Sequence, residues 1–354
     1  MMPPRRRKRL DPSAFDLPVE QIRRGFYTDT YFLRAREIVR GEKKPPHVLM
    51  QFTGKSGAWL GGIDEAIAIL KLGADDFGAL TVNALYEGDG YDDWETVMTV
   101  EGPYEAFGYL ETICLGALGR RTKVCTNARL ISTAANSKPV IFFGARDDVL
   151  TNQPGDGYAA MVGGVKMVST DAQASLFAGK SVGTIPHALI AACGGDTVRA
   201  TQRFAETFPD VDVISLVDYD NDCVKTSRDV ANALDGRLWG VRLDTAEYMV
   251  DKSVVSQMGA FKPTGVNAQL VWNVRNALDA EGWGEVKIIV SGGFDAARIE
   301  AFEEDGVPVD AYGVGAALFD GRFDFTADIV KVNGKPQSKV GRAFRENPRL
   351  ERVK

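Results

Sequence analysis

Apolar and polar residues follow different rhythms on the two sides of Pro139. Before it, Tyr31–Val39 reads as a helix, and Asp64–Lys71 repeats apolar residues at helical spacing through Ala66, Ile67, Ile69 and Leu70. His47–Thr53 and Thr96–Val100 read as strands, and Tyr104–Leu118 and Thr122–Ala135 as helices. Strand and helix do not alternate regularly in this part. Beyond Pro139 short apolar runs recur at Val140–Phe143, Val165–Ser169, Val213–Val217, Leu238–Leu243, Val286–Ser291 and Ala311–Gly313. Helical patterns lie between them, at Thr197–Phe208, Asp222–Leu234, Asn267–Ala280 and Ala296–Glu303. Runs apolar on both faces that alternate with amphipathic helices indicate a parallel sheet. This many units predict a closed or nearly closed barrel rather than a short open sheet. From Phe323 the chain returns to alternation through Phe325, Ala327, Ile329 and Lys331, as a strand that rejoins the N-terminal part would.

The expected fold is therefore an irregular, incomplete α/β barrel over 139–320. An N-terminal α+β domain over 1–138 accompanies it, completed by 321–354. A length of 354 residues accommodates both. No apolar run is long enough to span a bilayer. Arg5, Arg6, Arg7, Lys8 and Arg9 form a basic stretch with no apolar core behind it, so it does not read as a secretory signal. With a formal net charge of -6 on the whole chain, Met1–Leu10 reads as a mobile solvated tail rather than a nucleic-acid arm. Cys114, Cys125, Cys193 and Cys223 show no Cys-x-x-Cys spacing, so free thiols in a reducing cytoplasm are expected. Gln51–Ser56 hints at a nucleotide P-loop, but its first glycine would have to stand at position 49, which is Leu49.

In a barrel of this kind the chemistry sits where strands end. Val140–Phe143 is followed by Gly144, Ala145, Arg146, Asp147 and Asp148, and Val165–Ser169 by Thr170 and Asp171. The turn Ser181–Pro186 leads to His187, Asp218 follows Val213–Val217, and Arg242 and Asp244 close the next run. The last two strands end in Ser291-Gly292-Gly293 and Gly313-Val314-Gly315. Late glycine-rich loops that precede helices offer bare backbone N–H groups to a phosphate. Neighbouring carboxylates suit sugar hydroxyls or Mg²⁺ on a pyrophosphate, and arginines suit carboxylate or phosphate groups.

These residues, in this order, resemble the nicotinate phosphoribosyltransferases and their nicotinamide-using relatives, over Thr28 to Leu318. The resemblance implies an irregular α/β barrel beside an N-terminal α/β domain, in a head-to-tail homodimer with shared active sites. It implies that Tyr31, in Thr28-Asp29-Thr30-Tyr31, stacks on a pyridine ring across the dimer interface. Phe143 would form the other face of that stack, and Arg146 would enter the substrate site. Asp171 would lie beside the ring, and His187 would be the histidine transiently phosphorylated by ATP. Arg242 and Asp244 would contact substrate and ribose, with Asp218 and Asp244 as candidate ribose or Mg²⁺ contacts. Gly292, Gly293, Gly313 and Gly315 would cradle the 5′-phosphate.

The implied reaction joins nicotinate to phosphoribosyl pyrophosphate, with Mg²⁺ and with ATP as co-substrate. Some short members of the group carry a four-cysteine zinc element near the C-terminus; its cysteines are missing here, so no zinc is expected. Quinolinate and nicotinamide phosphoribosyltransferases remain as alternatives, as does a non-catalytic barrel that senses a sugar phosphate. No nucleic-acid or membrane partner is expected.

Overall fold

The computed structural model describes residues 8–179 and 181–354. Arg5, Arg6 and Arg7 of the basic stretch lie outside the described residues. The chain divides into two compact units. The first takes the chain up to Arg129, together with Tyr158–Gly163 and Phe319–Lys354. The second takes Leu130–Gly157 and Gly164–Leu318.

The first unit is built on a six-stranded sheet in the order Lys335–Pro336, Phe325–Val332, His47–Gly54, Thr96–Pro103, Thr81–Ala84, Glu351–Arg352. Its pairings are antiparallel, with Met50 opposite Ile329 on one side and Val100 on the other. The alternation read from Phe325 onward is thus the strand that returns to the N-terminal half. The helix Ile63–Gly73 is almost wholly buried, with Ile63, Leu70 and the neighbouring Leu60, Met98 and Phe107 sealed in the core. The two helices expected at Tyr104–Leu118 and Thr122–Ala135 differ from those observed. A short turn of helix, Tyr104–Phe107, is followed by one long helix, Glu111–Ala134. Gly119 does not break it; a Cβ there would meet the Phe323 carbonyl oxygen at 3.0 Å, so the glycine serves close packing.

The basic tail needs a second correction. Arg9 is docked: its guanidinium pairs with Asp64 at 3.1 Å, donates to the carbonyls of Ala84 and Leu85, and lies 4.1 Å from the Tyr86 ring centroid. Gln51, in the sequence that hints at a P-loop, is a buried strand residue. Its amide holds the Ala343 carbonyl and the Arg345 N–H.

The second unit holds the parallel sheet. Its strands are β1 (Val140–Phe142), β2 (Met167–Val168), β3 (Val213–Leu216), β4 (Leu238–Leu243), β5 (Lys287–Val290) and β6 (Ala311–Val314). Their spatial order is β2-β1-β6-β5-β4-β3, every pair parallel. The helices α1 (Thr197–Thr207), α2 (Cys223–Leu234), α3 (Ala268–Ala280) and α4 (Ala296–Glu304) fall where periodicity places them. Each starts on a side chain that accepts a backbone N–H three residues on: Asp196, Asp222, Asn267 and Asp295.

The strand expected at Val165–Ser169 shortens to Met167–Val168. The two edges, β2 and β3, are bridged by an irregular segment. Val182 donates its N–H to the Val168 carbonyl at 2.8 Å, and Ile185 donates to the Ile214 carbonyl at 3.2 Å. Inside, Ile141, Ile289 and Ala311 pack together, with Phe143, Met167, Val182 and Ile214 against them. These residues come from several strands and the bridging segment, as the filled interior of a barrel requires. The fold is thus an incomplete α/β barrel with a separate antiparallel sheet domain.

Candidate active site

The strand order decides which candidate residues meet. Because β4, β5 and β6 are neighbours, their C-terminal ends emerge side by side. Ser291 ties the first two together. Its N–H donates to the Leu243 carbonyl at 3.0 Å, and its hydroxyl donates to Asp244 Oδ1 at 2.7 Å. Arg242 approaches Asp244 at 3.6 Å and lies over the Phe143 ring, 5.3 Å from its centroid. On the β3 end, Asp218 Oδ1 meets His187 Nε2 at 3.1 Å. The bridging segment that seals the barrel leads directly into His187 at the start of a short helix, His187–Ala192. Asp218 is buried while the imidazole stays half exposed.

Charges at this rim perturb one another. Burial pushes the Asp218 carboxyl up and the nearby Asp244 charge adds to that, while His187 opposes both. Burial draws the Arg242 guanidinium down; Asp244 and Asp218 oppose this and Arg146 reinforces it. Arg146 and Arg242 therefore stand close enough to repel. The Arg242 Nε is buried without an acceptor among the described residues. Two neighbouring cations, one with an unused donor, can receive an anion.

Phe143 sits at the end of β1, half-buried, with its N–H on the Val314 carbonyl at 2.8 Å. It is not sealed within apolar neighbours, so one part of the ring is free to meet a ligand. Arg146 follows, exposed, at the end of a 3-10 turn, Gly144–Arg146, whose first residue is buried.

Gly292 and Gly293 both adopt left-handed backbone, with φ of 86° and 72°. That conformation strains any side chain. Among the described residues no acceptor takes the N–H of Gly293, Phe294 or Gly315. Gly313 differs from expectation, since it lies within β6, buried, rather than in the loop beyond it. Its missing side chain makes room for the aromatic ring: a Cβ at 313 would stand 2.5 Å from Phe143 Cε2. Gly315 lies in the loop proper, and a Cβ there would be 3.0 Å from Asp147 Oδ2.

Asp171 stands on the end of β2 and begins the short helix Asp171–Ala174. Its carboxylate accepts the Ser181 hydroxyl at 2.5 Å and lines a cleft of about 480 Å³ with Ala174, Ser175 and Gly179. Tyr31 belongs to the first unit, on the helix Thr30–Arg40, and is 61% exposed. The sequence reading missed Arg298 and Glu247, both at the Gly292–Gly293 loop. Arg298 reads in sequence as an ordinary residue of an amphipathic helix, and Glu247 as part of a polar loop. Among the described residues no helix is long and apolar enough to cross a membrane, and no group of three or more His, Cys, Asp or Glu is placed to hold a metal ion.

Comparison with known proteins bears on this rim. Residues 29–122 match the model of the quinolinate phosphoribosyl transferase N-terminal domain. A crystal structure described as nicotinate-nucleotide pyrophosphorylase from Pyrococcus furiosus superposes with a TM-score of 0.80 at 34% identity, covering 98% of this chain and 86% of that one. Human nicotinic acid phosphoribosyltransferase has the same fold, with a TM-score of 0.69 at 18% identity over 88% of this chain and 75% of that one. A nicotinate phosphoribosyltransferase of Mycobacterium tuberculosis is 28% identical over 281 residues, 75% of this chain and 57% of the relative. One from Bacillus subtilis is 25% identical over 243 residues, 66% of this chain and 45% of the relative. The chain thus spans about half the length of these curated relatives. With a relative 34% identical covered over 86% of its length, and with the barrel and its rim laid out as described, the chain belongs to the family that holds the nicotinate-nucleotide pyrophosphorylases and the nicotinate phosphoribosyltransferases.

Proposed function

We propose that this protein transfers the phosphoribosyl group of phosphoribosyl pyrophosphate to nicotinate, giving nicotinate mononucleotide and pyrophosphate, as a step of NAD salvage. The observation that carries the reading is the side-by-side exit of the Gly292–Gly293 and Gly315 loops beside Phe143, Arg242 and Asp244. A 5′-phosphate suits the N–H groups that have no acceptor in the two loops. The ribose hydroxyls suit Asp244 and Asp218. Nicotinate stacks on the open part of Phe143, with Arg146 and Arg242 toward its carboxylate. Such a stack contributes about 0.5–1.5 kcal/mol beyond area burial, and a charge-assisted pair about 1.5–3 kcal/mol.

The C1–pyrophosphate bond breaks as the pyridine nitrogen forms the new C1–N bond, and the pyrophosphate carries the electron pair away. The protein's part is to hold both reactants in line and to neutralise the anions. Asp218 and Asp244 are the two carboxylates that would hold Mg²⁺. Two carboxylates, with no third such ligand among the described residues, would suit a hydrated ion that arrives with the pyrophosphate. When bound, the ion neutralises leaving-group charge.

His187, oriented by Asp218, is the group we assign to transient phosphorylation by ATP, and Asp171 is placed beside the pyridine ring. Tyr31 of the partner subunit would complete the stack in a cytoplasmic homodimer. A second reading is favoured by the family model that matches 29–122: quinolinate, with two carboxylates, in place of nicotinate. Pyrophosphate release with nicotinate, nicotinamide and quinolinate in turn decides the matter. The proposal expects nicotinate to be preferred by at least about tenfold in kcat/KM. Preference for either of the others overturns the substrate, and release with none overturns the activity.

A further inference from the structure

Arg298 has no part in the reaction proposed above, yet both terminal nitrogens of its guanidinium donate to backbone carbonyls. One terminal nitrogen donates to the Gly292 carbonyl at 2.8 Å and to the Gly293 carbonyl at 3.0 Å. The other donates to the Val266 carbonyl at 2.5 Å. The guanidinium lies 4.1 Å from the centroid of the Phe294 ring, which is itself buried and packed on Phe302 and Tyr312. The Glu247 carboxylate fills the space beside the Gly293 Cα. A guanidinium in a forked contact has fewer free rotations to lose than a lysine would.

The consequence follows from peptide geometry. In a trans peptide the carbonyl and the next N–H point in opposite directions. Pulling the Gly292 and Gly293 carbonyls toward Arg298 turns the N–H groups of Gly293 and Phe294 the other way. Those N–H groups have no acceptor among the described residues. Two consecutive left-handed residues permit this arrangement, and Arg298 selects it from the many that a glycine pair can adopt.

We propose that Arg298 is a positioning residue of the phosphate site: by gripping the two carbonyls it presents the N–H groups of Gly293 and Phe294, already oriented, to the 5′-phosphate of the substrate. The proposal rests on reading this loop as the phosphate site. Preorganisation of this kind lowers the ordering cost of binding. Arg298→Lys keeps the charge and loses the fork. It raises the Kd of ribose 5-phosphate and the KM of phosphoribosyl pyrophosphate about tenfold, while the KM of nicotinate stays within about twofold.

Hydrogen exchange on the unaltered protein gives a reading that does not depend on the variant folding. The peptide spanning 291–296 exchanges quickly in the free protein and is protected by ribose 5-phosphate. If the unaltered protein does not bind ribose 5-phosphate, the phosphate reading itself fails, and the proposal with it. If it binds, yet Arg298→Lys binds equally well or the peptide gains no protection, the positioning role is refuted and the phosphate reading stands.

Discussion

Replacing Gly313 with alanine tests whether the aromatic ring is seated by the strand beneath it. The added Cβ would lie 2.5 Å from Phe143 Cε2, 2.7 Å from Cδ2 and 3.1 Å from the Ser291 Cβ. Carbon atoms rest at about 3.5–4.0 Å, so the ring must retreat by about 1 Å. Two effects oppose each other in stability. Alanine in a strand interior is favoured over glycine by about 0.5–1 kcal/mol, whereas overpacking costs about 1–3 kcal/mol. Overpacking wins, because the clash meets a ring braced against the packed residues Ile141, Ile289 and Ala311 and not a flexible side-chain end. A net loss of about 1–2 kcal/mol lowers the melting temperature of a unit this size by about 2–8 °C. The functional effect is larger, since a misplacement of about 1 Å at a stacking surface costs up to about a hundredfold. Steady-state kinetics with each substrate varied in turn provides the assay. The KM of nicotinate rises at least about tenfold and that of phosphoribosyl pyrophosphate changes little. Unchanged nicotinate kinetics in a folded variant would refute the placement of Phe143 as the ring platform.

His187→Ala loses ATP stimulation, with turnover in the presence of ATP falling at least about tenfold. Full ATP-stimulated turnover in that variant removes the histidine from the ATP step. Glu111 offers a pH test: burial pushes its carboxyl from the ordinary 4.5 up to about 7, with Asp328 and Asp29 adding to the shift. A raised folded-state pKa favours the folded protein while the group is protonated, and that support is lost as pH climbs from about 4.5 through 7. Glu111→Gln stays neutral throughout, so it stabilises the protein by about 1–3 kcal/mol at pH 8 and by little at pH 4. Equal effects at both pH values in urea denaturation would contradict this. Arg9→Ala breaks the contacts to Asp64, Ala84 and Leu85 and leaves Asp64 buried without its cation. A loss of about 2–4 kcal/mol is expected by the same denaturation, and no loss would mean that the docking is idle.

What could be read in advance was what depends on local chemistry. Asp222, Asn267 and Asp295 mark helix starts because each short polar side chain accepts a backbone N–H that the helix leaves orphaned. The apolar runs of β3 to β6 are legible because both faces of a parallel barrel strand are covered. What could not be read depends on distant partners. Gly119 looks like a helix break until the Phe323 carbonyl is seen against it. Gly313 looks like a loop residue until the Phe143 ring is seen in the space it leaves. Arg298 carries no local sign of its task, since the carbonyls it holds belong to a neighbouring turn and to Val266. The segment Ser181–Ile185 has neither helical nor strand periodicity, and its bridging role follows from the two edges it happens to join.

That segment is the one stave of the barrel, among the described residues, that is neither a strand nor a helix. It is stitched to both flanks: Ser181 and Val182 bond to Asp171 and Val168 on the β2 side, Ile185 bonds to Ile214 on the β3 side, and Ile185 is buried with Ile190, Ala200 and Leu216. The imidazole proposed to take up a phosphoryl group thus rides on the plank that closes the cask, and its place is set by the packing of the stave just before it.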